Sequence, residues 1–398
     1  MTKPRIFINM HYMELGGAEI SLIGLLRAID YKKYDVDLFI HSHRGELMGS
    51  IPEEVNLLPE IKKYASLEMP IQWCVKRGFI DIVIARAVYK IVKRIYLKMH
   101  PGIRDDDDYF RSCITTWFLP KINPSKEYDL AISFLTPHKI VLDKVKARKK
   151  VAWIHIDYSS LRVDPILPLA IWGEYDKIIS ISKDITKTFI SVFPSLADKI
   201  MEIENIISPD YVRQCADKLS VCNEMAAHGI RLLSIGRFSY QKNFDNVPDI
   251  CRRILTKGLD VTWYLIGYGG EEALIREKIK EAGVENNVII LGKRTSPYPY
   301  IKECDIYVQP SRYEGKSITV REAQILYKPV AITAYATAGS QVKHGEDGVI
   351  VPMDNEDCAN KLAEFIQDKP LQDRIISYLH THDYGNENEV EKLDLLLK

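Results

Sequence analysis

The sequence predicts an α/β protein with two Rossmann-like domains in tandem, each built on a doubly wound parallel sheet. Short apolar strands alternate with helical segments along most of the chain, which favours parallel sheets covered by helices. The chain has 398 residues, a length that suits two domains of roughly 150–200 residues each. Several of the strands end in glycine-bearing turns, and ligands bind at those strand ends in open parallel sheets.

The composition is that of a folded protein without a bulk charge bias. Apolar residues make up 46% and charged residues 27% of the chain, and 54 basic side chains balance 54 acidic ones. A net charge of zero argues against nucleic acid as a partner. The seven cysteines form no Cys-x-x-Cys pair, which favours reduced thiols over a disulfide framework or a zinc site.

The N-terminus and the hydropathy pattern indicate a cytoplasmic protein. The first residues lead directly into an apolar strand, without the apolar core of roughly 7–15 residues that a signal peptide carries. The sequence also lacks a run of about 18 uncharged apolar residues, which a membrane-spanning helix would need. Peripheral attachment to the inner face of a membrane is compatible with both observations.

The first domain is predicted for residues 1–207. Two glycines after its first strand, Gly16 and Gly17, would allow a charged group close to the backbone, and the helix that follows offers free N–H groups. A turn that only reverses the chain has the same pattern. The strands are predicted at residues 6–9, 36–41, 130–135, 151–156 and 177–181.

Residues 61–119 interrupt this alternation with a helical insertion. Between residues 74 and 104 there are eight basic residues and a single acidic one, Asp81, with apolar residues interleaved. A basic amphipathic helix of this kind can lie on an anionic membrane surface. A helix packed on the domain with a basic solvated face has the same composition, so both interpretations stay open. The acidic run at residues 105–108 is more typical of a solvated loop than of a metal site.

The second domain is predicted for residues 208–378, and residues 379–398 are predicted to form a helical tail that closes the fold. Glycines 267, 269 and 270 follow the second strand but lack the G-x-G-x-x-G spacing, which argues against a nicotinamide-binding domain. The strands are predicted at residues 232–235, 261–266, 288–291, 306–309, 330–332 and 349–351.

Two basic residues follow the first strand of the second domain. Arg237 and Lys242 lie five residues apart in a loop. A diphosphate needs positive charge around it, and where no metal ion supplies that charge the protein must do so. The spacing therefore suggests a diphosphate site, although a pair of solvated loop charges gives the same pattern.

Two carboxylates follow a later strand of the same domain. Glu314 and Glu322 have seven residues between them, and Gly315 allows close approach to the backbone. A helix is expected to begin near Thr319, with its N–H groups directed toward a ligand. Glu322 could then accept hydrogen bonds from ribose hydroxyls. It also fits a capping box with Thr319, which would give it a structural role instead.

The order of these motifs resembles that of retaining glycosyltransferases of the GT-B fold, family 4. Glu314 and Glu322 resemble the E-x7-E signature of that family, and the resemblance covers nearly the whole chain. The other matches, in chain order, are Gly16-Gly17-Ala18-Glu19, Trp153-Ile154-His155, Ser180-Ile181-Ser182-Lys183, Glu204-Asn205-Ile206, Gly236-Arg237 with Lys242, Lys328-Pro329-Val330 and Glu346-Asp347-Gly348.

The resemblance implies two facing Rossmann-like domains with a central cleft, and it implies roles for individual residues. Arg237 and Lys242 would hold the diphosphate of the donor, and Glu322 would bind its ribose. Glu314 would bind a hydroxyl of the donor sugar, and His155 would lie on the acceptor side, so that Glu314, His155, Arg237 and Lys242 form the catalytic set. The remaining donor-binding positions would be Gly16, Gly17, Gly315, Lys316, Ser317 and Ile318.

Three positions fall outside the family pattern or are weaker candidates. Lys316 stands where an aromatic residue is usual, which leaves the donor sugar open, and Tyr327 stands where glycine is usual. Lys293 is a candidate for the base pocket, together with the aromatic loop at residues 298–300.

The activity implied by the resemblance is transfer of a sugar, with retention, from a nucleotide diphosphate sugar, with UDP favoured. The acceptor would be a glycan, carried on a polyprenyl diphosphate lipid, in bacterial capsule or other surface polysaccharide synthesis. No metal ion or other cofactor is expected. The alternatives are an inactive nucleotide-sugar-binding assembly subunit and another GT-B enzyme, such as a sugar-nucleotide epimerase.

Overall fold

The computed structural model confirms the predicted fold class, with two α/β units that each contain one parallel sheet. It describes residues 3–14, 16–100, 107–156, 158, 166–225 and 229–398. The first unit comprises Met1–Ile206 and Asn386–Lys398, and the second comprises Ile207–Gly385.

A seven-stranded sheet forms the centre of the first unit. Its order is β3-β2-β1-β4-β5-β6-β7, and all neighbouring strands are parallel. The central strands are apolar on both faces because helices cover both sides of such a sheet. The strands are β1 (Arg5–Met10), β2 (Asp35–Ile40), β3 (Asn56–Leu57), β4 (Tyr128–Ser133), β5 (Ala147–Ile154), β6 (Lys177–Ser180) and β7 (Ile200–Glu202).

Eight helices accompany this sheet in the described part of the chain before residue 207. Four of them, α2 to α5, form the predicted helical insertion between β3 and β4. The helices are α1 (Gly17–Ala28), α2 (Lys62–Ala65), α3 (Ile71–Lys76), α4 (Ile80–Met99), α5 (Asp107–Thr115), α6 (Lys139–Lys144), α7 (Leu167–Trp172) and α8 (Lys183–Val192). None of the helices that the structure describes combines the length and apolar character needed to cross a bilayer.

The second unit repeats the arrangement with a six-stranded parallel sheet of order β10-β9-β8-β11-β12-β13. In both sheets the chain starts in the middle and moves outward twice, which is the doubly wound order. The strands are β8 (Ile230–Ile235), β9 (Val261–Ile266), β10 (Val288–Gly292), β11 (Ile306–Gln309), β12 (Val330–Thr333) and β13 (Val349–Val351). The helices are α9 (Pro209–Ala216), α10 (Val247–Leu255), α11 (Glu272–Ala282), α12 (Tyr298–Glu303), α13 (Ile318–Ile325), α14 (Ala338–Gln341), α15 (Asn355–Gln367) and α16 (Lys369–Thr381).

The structure corrects the predicted start of the tail at residue 379. Helix α16 continues across that position because Leu379 is fully buried in the core of the second unit. The tail begins instead at Asn386, whose side-chain amide donates to the carbonyl of Asn205 at 3.0 Å. Its short 3-10 helix (Glu387–Lys392) and α17 (Leu393–Leu397) belong to the first unit.

Candidate functional site

Two loops of the second unit meet at the carboxyl edge of its sheet. β8 and β11 are neighbours in the sheet, so the segments that follow them lie side by side. The 3-10 turn after β8 ends at Lys242, and the loop after β11 carries Glu314. The Lys242 Nζ lies 2.5 Å from the Glu314 Oε1, and the two side chains are only 17% and 6% exposed. The order of strands in the sheet thus brings Lys242 and Glu314 together although they are far apart in sequence.

The Glu314 carboxylate accepts further hydrogen bonds from three neutral side chains. The hydroxyl of Ser311 donates to its Oε1 at 2.6 Å, and the Nε2 of Gln309 donates to the same oxygen at 3.3 Å. The Nε2 of Gln241 donates to Oε2 at 3.3 Å. Hydrogen bonds from several donors fix the orientation of a carboxylate. The Glu314 carboxylate is therefore held in one orientation.

Gln309, which was not predicted as a site residue, links this carboxylate to the first turn of α13. The side chain is fully buried, and its Oε1 accepts from the hydroxyl of Tyr307 at 2.6 Å and from that of Thr319 at 3.2 Å. The available signal was a pair of polar residues, Gln309 and Ser311, at the carboxyl end of a buried apolar strand. Such residues often belong to a site rather than to the core.

Glycines allow the close approach of these loops. A Cβ on Gly236 would lie 3.1 Å from the Cδ of Lys242, and a Cβ on Gly267 would lie 1.9 Å from the carbonyl oxygen of Gly236. A Cβ on Gly269 would lie 2.3 Å from the carbonyl oxygen of Phe238. Glycines 267 and 269 are therefore needed for close packing beside the Lys242 loop. This explains why glycines occur here although the G-x-G-x-x-G spacing is absent.

The two predicted diphosphate ligands have different surroundings. Lys242 is paired with Glu314, whereas Arg237 is exposed and its guanidinium makes no ion pair with any residue that the structure describes. A lysine ammonium has three N–H donors, so Lys242 can keep Glu314 and still donate to a phosphate oxygen. The loop thus offers one available guanidinium and one shared ammonium.

Glu322 lies on α13 and is completely buried. Its Oε1 accepts from the hydroxyl of Tyr298 at 2.9 Å, while its Oε2 has no hydrogen-bond partner among the described residues. Burial raises the pKa of Glu322 to about 7, an effect that the Tyr298 hydrogen bond opposes. One carboxylate oxygen therefore lacks a donor, as expected for a group that a ligand hydroxyl would satisfy.

The capping box that Thr319 and Glu322 could form is absent. The cap of α13 is Ser317, without a side-chain cap hydrogen bond, and the Thr319 hydroxyl is engaged with Gln309 instead. Because Glu322 bonds to Tyr298, it does not close its own helix. This removes the capping box as the explanation for Glu322.

The backbone from Gly315 to Ile318 is only partly available to a ligand. The N–H of Ser317 donates to the Oε1 of Gln341 at 3.1 Å. Positions Gly315, Lys316 and Ile318 are half-buried, and their role in donor binding stays a prediction.

The segment near the expected base pocket is helical rather than a loop. Residues 298–303 form α12, with proline in its first turn, where a missing N–H costs nothing. Tyr298 faces Glu322, and Tyr300 accepts from the Nε of Arg294 at 2.7 Å. The Nζ of Lys293 lies 5.0 Å from the centre of the Tyr268 ring. The role of Lys293 in base binding stays a prediction.

Gly16, Gly17 and His155 belong to the first unit. α1 begins at Gly17, with Gly16 as an extended cap residue. A Cβ on Gly16 would lie 2.3 Å from the Oε2 of Glu19, so the missing side chain leaves room for that buried carboxylate beside the helix start. A negative charge at this position is favourable.

His155 directly follows β5. Its ring centroid lies 4.7 Å from that of Phe134, and its Nε2 has no hydrogen-bond partner among the described residues. Burial lowers the pKa of His155 to about 3, so the imidazole is neutral near pH 7. It can therefore take part in hydrogen bonding without carrying charge.

The part of the chain that the structure describes contains no group of three or more His, Cys, Asp or Glu side chains that could hold a metal ion. The side chains of the acidic run at residues 105–108 lie outside the described residues.

Comparison with known proteins finds similarity to glycosyltransferases, most of it in the second unit. Residues 224–381 match the family described as Glycosyl transferases group 1. The amylovoran biosynthesis glycosyltransferase AmsD of Erwinia amylovora is 26% identical over 42% of this chain and 48% of its own length. The N-acetylgalactosamine-N,N'-diacetylbacillosaminyl-diphospho-undecaprenol 4-alpha-N-acetylgalactosaminyltransferase of Campylobacter jejuni is 26% identical over 52% of this chain and 54% of its own length. The chain thus matches about half the length of these curated relatives.

The fold likeness extends over the whole chain. The crystal structure of Anabaena HepE in complex with UDP-glucose superposes with a TM-score of 0.66, at 18% identity, and covers 98% of this chain and 99% of that one. At this identity the likeness shows the fold alone. Together, the comparisons confirm the predicted resemblance to GT-B glycosyltransferases and support transferase activity, whereas retention and membership of family 4 stay predictions.

Proposed function

We propose that this chain, whose residues 224–381 match the family Glycosyl transferases group 1, is a retaining family 4 glycosyltransferase with a nucleotide diphosphate sugar as donor. The observation that carries the proposal is the Lys242–Glu314 pair, which lies with Glu322 at the carboxyl edge of the sheet in the matched domain. The oriented Glu314 carboxylate fits a sugar hydroxyl, and the Lys242 ammonium fits a diphosphate. The buried Glu322, with one oxygen that lacks a hydrogen-bond partner among the described residues, fits a ribose.

The donor is proposed to be UDP-linked. HepE, which shares the fold, has been crystallised with UDP-glucose. In this chain Arg237 and Lys242 would bind the diphosphate, so that protein cations supply the positive charge and no metal ion is needed. Glu322 would accept from the ribose hydroxyls, and Glu314 from a hydroxyl of the donor sugar.

The proposed reaction exchanges one bond at the anomeric carbon. The bond to the diphosphate oxygen breaks, and its electron pair leaves with the nucleoside diphosphate. The acceptor oxygen forms the new bond on the same face, and its proton passes to the departing phosphate oxygen. Arg237 and Lys242 offset the negative charge that develops on the leaving group, which is where fixed charges accelerate a reaction most.

The acceptor is proposed to be a glycan on a polyprenyl diphosphate lipid, in the synthesis of a capsule or other surface polysaccharide at the inner face of the cytoplasmic membrane. The amylovoran and diphospho-undecaprenol transferases named above support this acceptor class. Gly16, Gly17 and His155 keep their predicted roles, with the two glycines near the donor phosphates and His155 on the acceptor side.

Retention can be tested by the stereochemistry of the product. The enzyme is incubated with an α-linked UDP-sugar and a lipid-linked glycan acceptor, and the new anomeric proton is observed by NMR at early times. We expect an α-configured product and release of UDP. A β-configured product would contradict retention, and an isomerised sugar nucleotide formed without acceptor would indicate an epimerase instead. The Glu314→Gln variant is the control for contaminating activity and should form no product.

A further inference from the structure

The outer face of α4 carries a continuous apolar ridge. The six ridge side chains, which recur every three or four residues, are between 41% and 64% exposed. This spacing places them on one face of the helix. The ridge consists of Ile80, Ile84, Val88, Ile91, Ile95 and Met99.

The ridge is not the face by which α4 packs on its unit. The buried side chains of the helix are Ile82, Ala85 and Tyr89, which occupy another side of the helix. A surface helix normally turns polar residues outward once its apolar side is buried. α4 instead has a second apolar face, and an exposed patch of this kind marks a contact with another partner.

A row of cations follows one edge of the ridge. Lys90, Arg94 and Lys98 recur at intervals of four residues and are all exposed. None of them forms an ion pair with a residue that the structure describes. The only acidic residue of α4, Asp81, is paired with Lys63. The cations beside the ridge are thus available to an external anion.

An anionic bilayer matches both features better than a second copy of the chain does. An antiparallel twofold contact through the ridge would bring the two rows of cations to the same side, and like charges at an interface are unfavourable. A bilayer presents phosphates at the level of the cations and acyl chains below them. Trp117, which is 82% exposed, lies in a short turn beside α4, and tryptophan is enriched at membrane interfaces.

We propose that α4 lies in the plane of an anionic membrane surface, with the ridge at the acyl-chain boundary and Lys90, Arg94 and Lys98 at the headgroups. The purpose of this contact, delivery of the enzyme to a lipid-linked acceptor, rests on the proposed function. The contact itself does not, so it can be measured without a donor or an acceptor.

The test is vesicle binding by the full chain, with phosphatidylglycerol–phosphatidylcholine vesicles against phosphatidylcholine alone. The ridge variant carries Ile84→Gln, Ile91→Gln and Ile95→Gln, which keep helix propensity, and should bind anionic vesicles at least about tenfold more weakly. The cation variant carries Lys90→Gln, Arg94→Gln and Lys98→Gln. It should lose about fivefold per residue at low salt and much less at high salt.

The matched control replaces three leucines that are exposed to a similar extent elsewhere, Leu219→Gln, Leu274→Gln and Leu395→Gln, and should bind like the wild type. Far-UV circular dichroism shows whether each variant is folded, and the cation variant tests the proposal even if the ridge variant is not.

Several results would overturn this proposal. One is a wild-type protein that does not bind anionic vesicles. Another is a folded ridge variant that binds them as tightly as the wild type does. A wild-type dimer in sedimentation that becomes a monomer in the ridge variant would instead make the ridge a subunit interface. Donor binding should be the same in all variants. A chain that binds vesicles but no sugar nucleotide would remove the proposed function and leave the membrane contact intact.

Discussion

Replacing Lys242 with methionine should lower kcat for sugar transfer by about 10²–10³-fold. Methionine keeps the unbranched side chain beside Gly236 but removes the ammonium that, in the proposed reaction, offsets charge on the departing diphosphate. It also leaves the largely buried Glu314 without its cation. Steady-state kinetics with a saturating donor measure the effect. A Lys242→Met enzyme with wild-type kcat would contradict the role given to this residue.

Stability and catalysis can be separated with a second substitution. Removing one partner of a buried ion pair is destabilising because the other charge stays buried. The Lys242→Met/Glu314→Gln double variant removes that charge, so it should regain thermal stability without regaining transfer. Lys302→Met is the matched control, since it removes a lysine from a 2.5 Å pair with Asp217 whose side chains are more than half exposed. Exposed pairs contribute little, so this variant should behave like the wild type.

Replacing Glu322 with glutamine should stabilise the ligand-free protein at pH 8 while it weakens donor binding. Burial raises the pKa of Glu322 from 4.5 to about 7, so the folded state favours the protonated carboxyl. Below pH 4.5 the group is protonated in both states and its ionisation costs nothing. As the pH rises through 7 the folded protein must hold a buried charge, and stability is lost. At about 1.4 kcal/mol per pKa unit, the difference in stability between variant and wild type reaches at most about 3.5 kcal/mol.

Urea unfolding at pH 5 and pH 8 measures this effect. The gain in unfolding free energy of Glu322→Gln over the wild type should be small at pH 5 and larger at pH 8. It should be absent in Glu285→Gln, a control at an exposed position. The same variant should bind the donor about 10- to 100-fold more weakly, because a hydrogen bond to a charged group is worth about 1.5–3 kcal/mol. An equal advantage at both pH values would show that Glu322 does not hold a buried charge.

The fold was largely predictable because most strands are apolar and end at clear turn signals. The predicted strands at 261–266, 306–309 and 349–351 match the observed bounds. The two strands that were missed, β3 and β7, have only two and three residues and are partly exposed, so they carry no apolar run. The tail was misplaced because sequence pattern does not reveal which unit a terminal segment joins.

At the candidate site, the sequence shows the types of residue and their spacing but not which of them pair. The spacing of Glu314 and Glu322 could be read directly, whereas the Lys242–Glu314 contact depends on the adjacency of β8 and β11. The capping box that was the alternative for Glu322 is absent because the Thr319 hydroxyl bonds to Gln309, a contact that sequence spacing does not show.

The unusual Tyr327 also has a structural explanation. Its φ of 58° lies in the left-handed region that favours glycine. This conformation explains why glycine is usual at the position in the family that the sequence resembles. In this chain the Tyr327 ring stacks on His380 with centroids 3.8 Å apart. This contact helps hold a side chain at a position where the backbone alone would disfavour one.

The most direct test of the donor site is a thermal shift with UDP-, GDP- and ADP-sugars in the presence of a chelator. At about a hundredfold excess over the dissociation constant, a bound donor should stabilise the wild type by about 2.7 kcal/mol. We predict a clear shift with the UDP-sugar, which is reduced or lost in Lys242→Met and in Glu322→Gln. No shift with any of the three nucleotide classes, or an undiminished shift in both variants, would contradict the donor site described above.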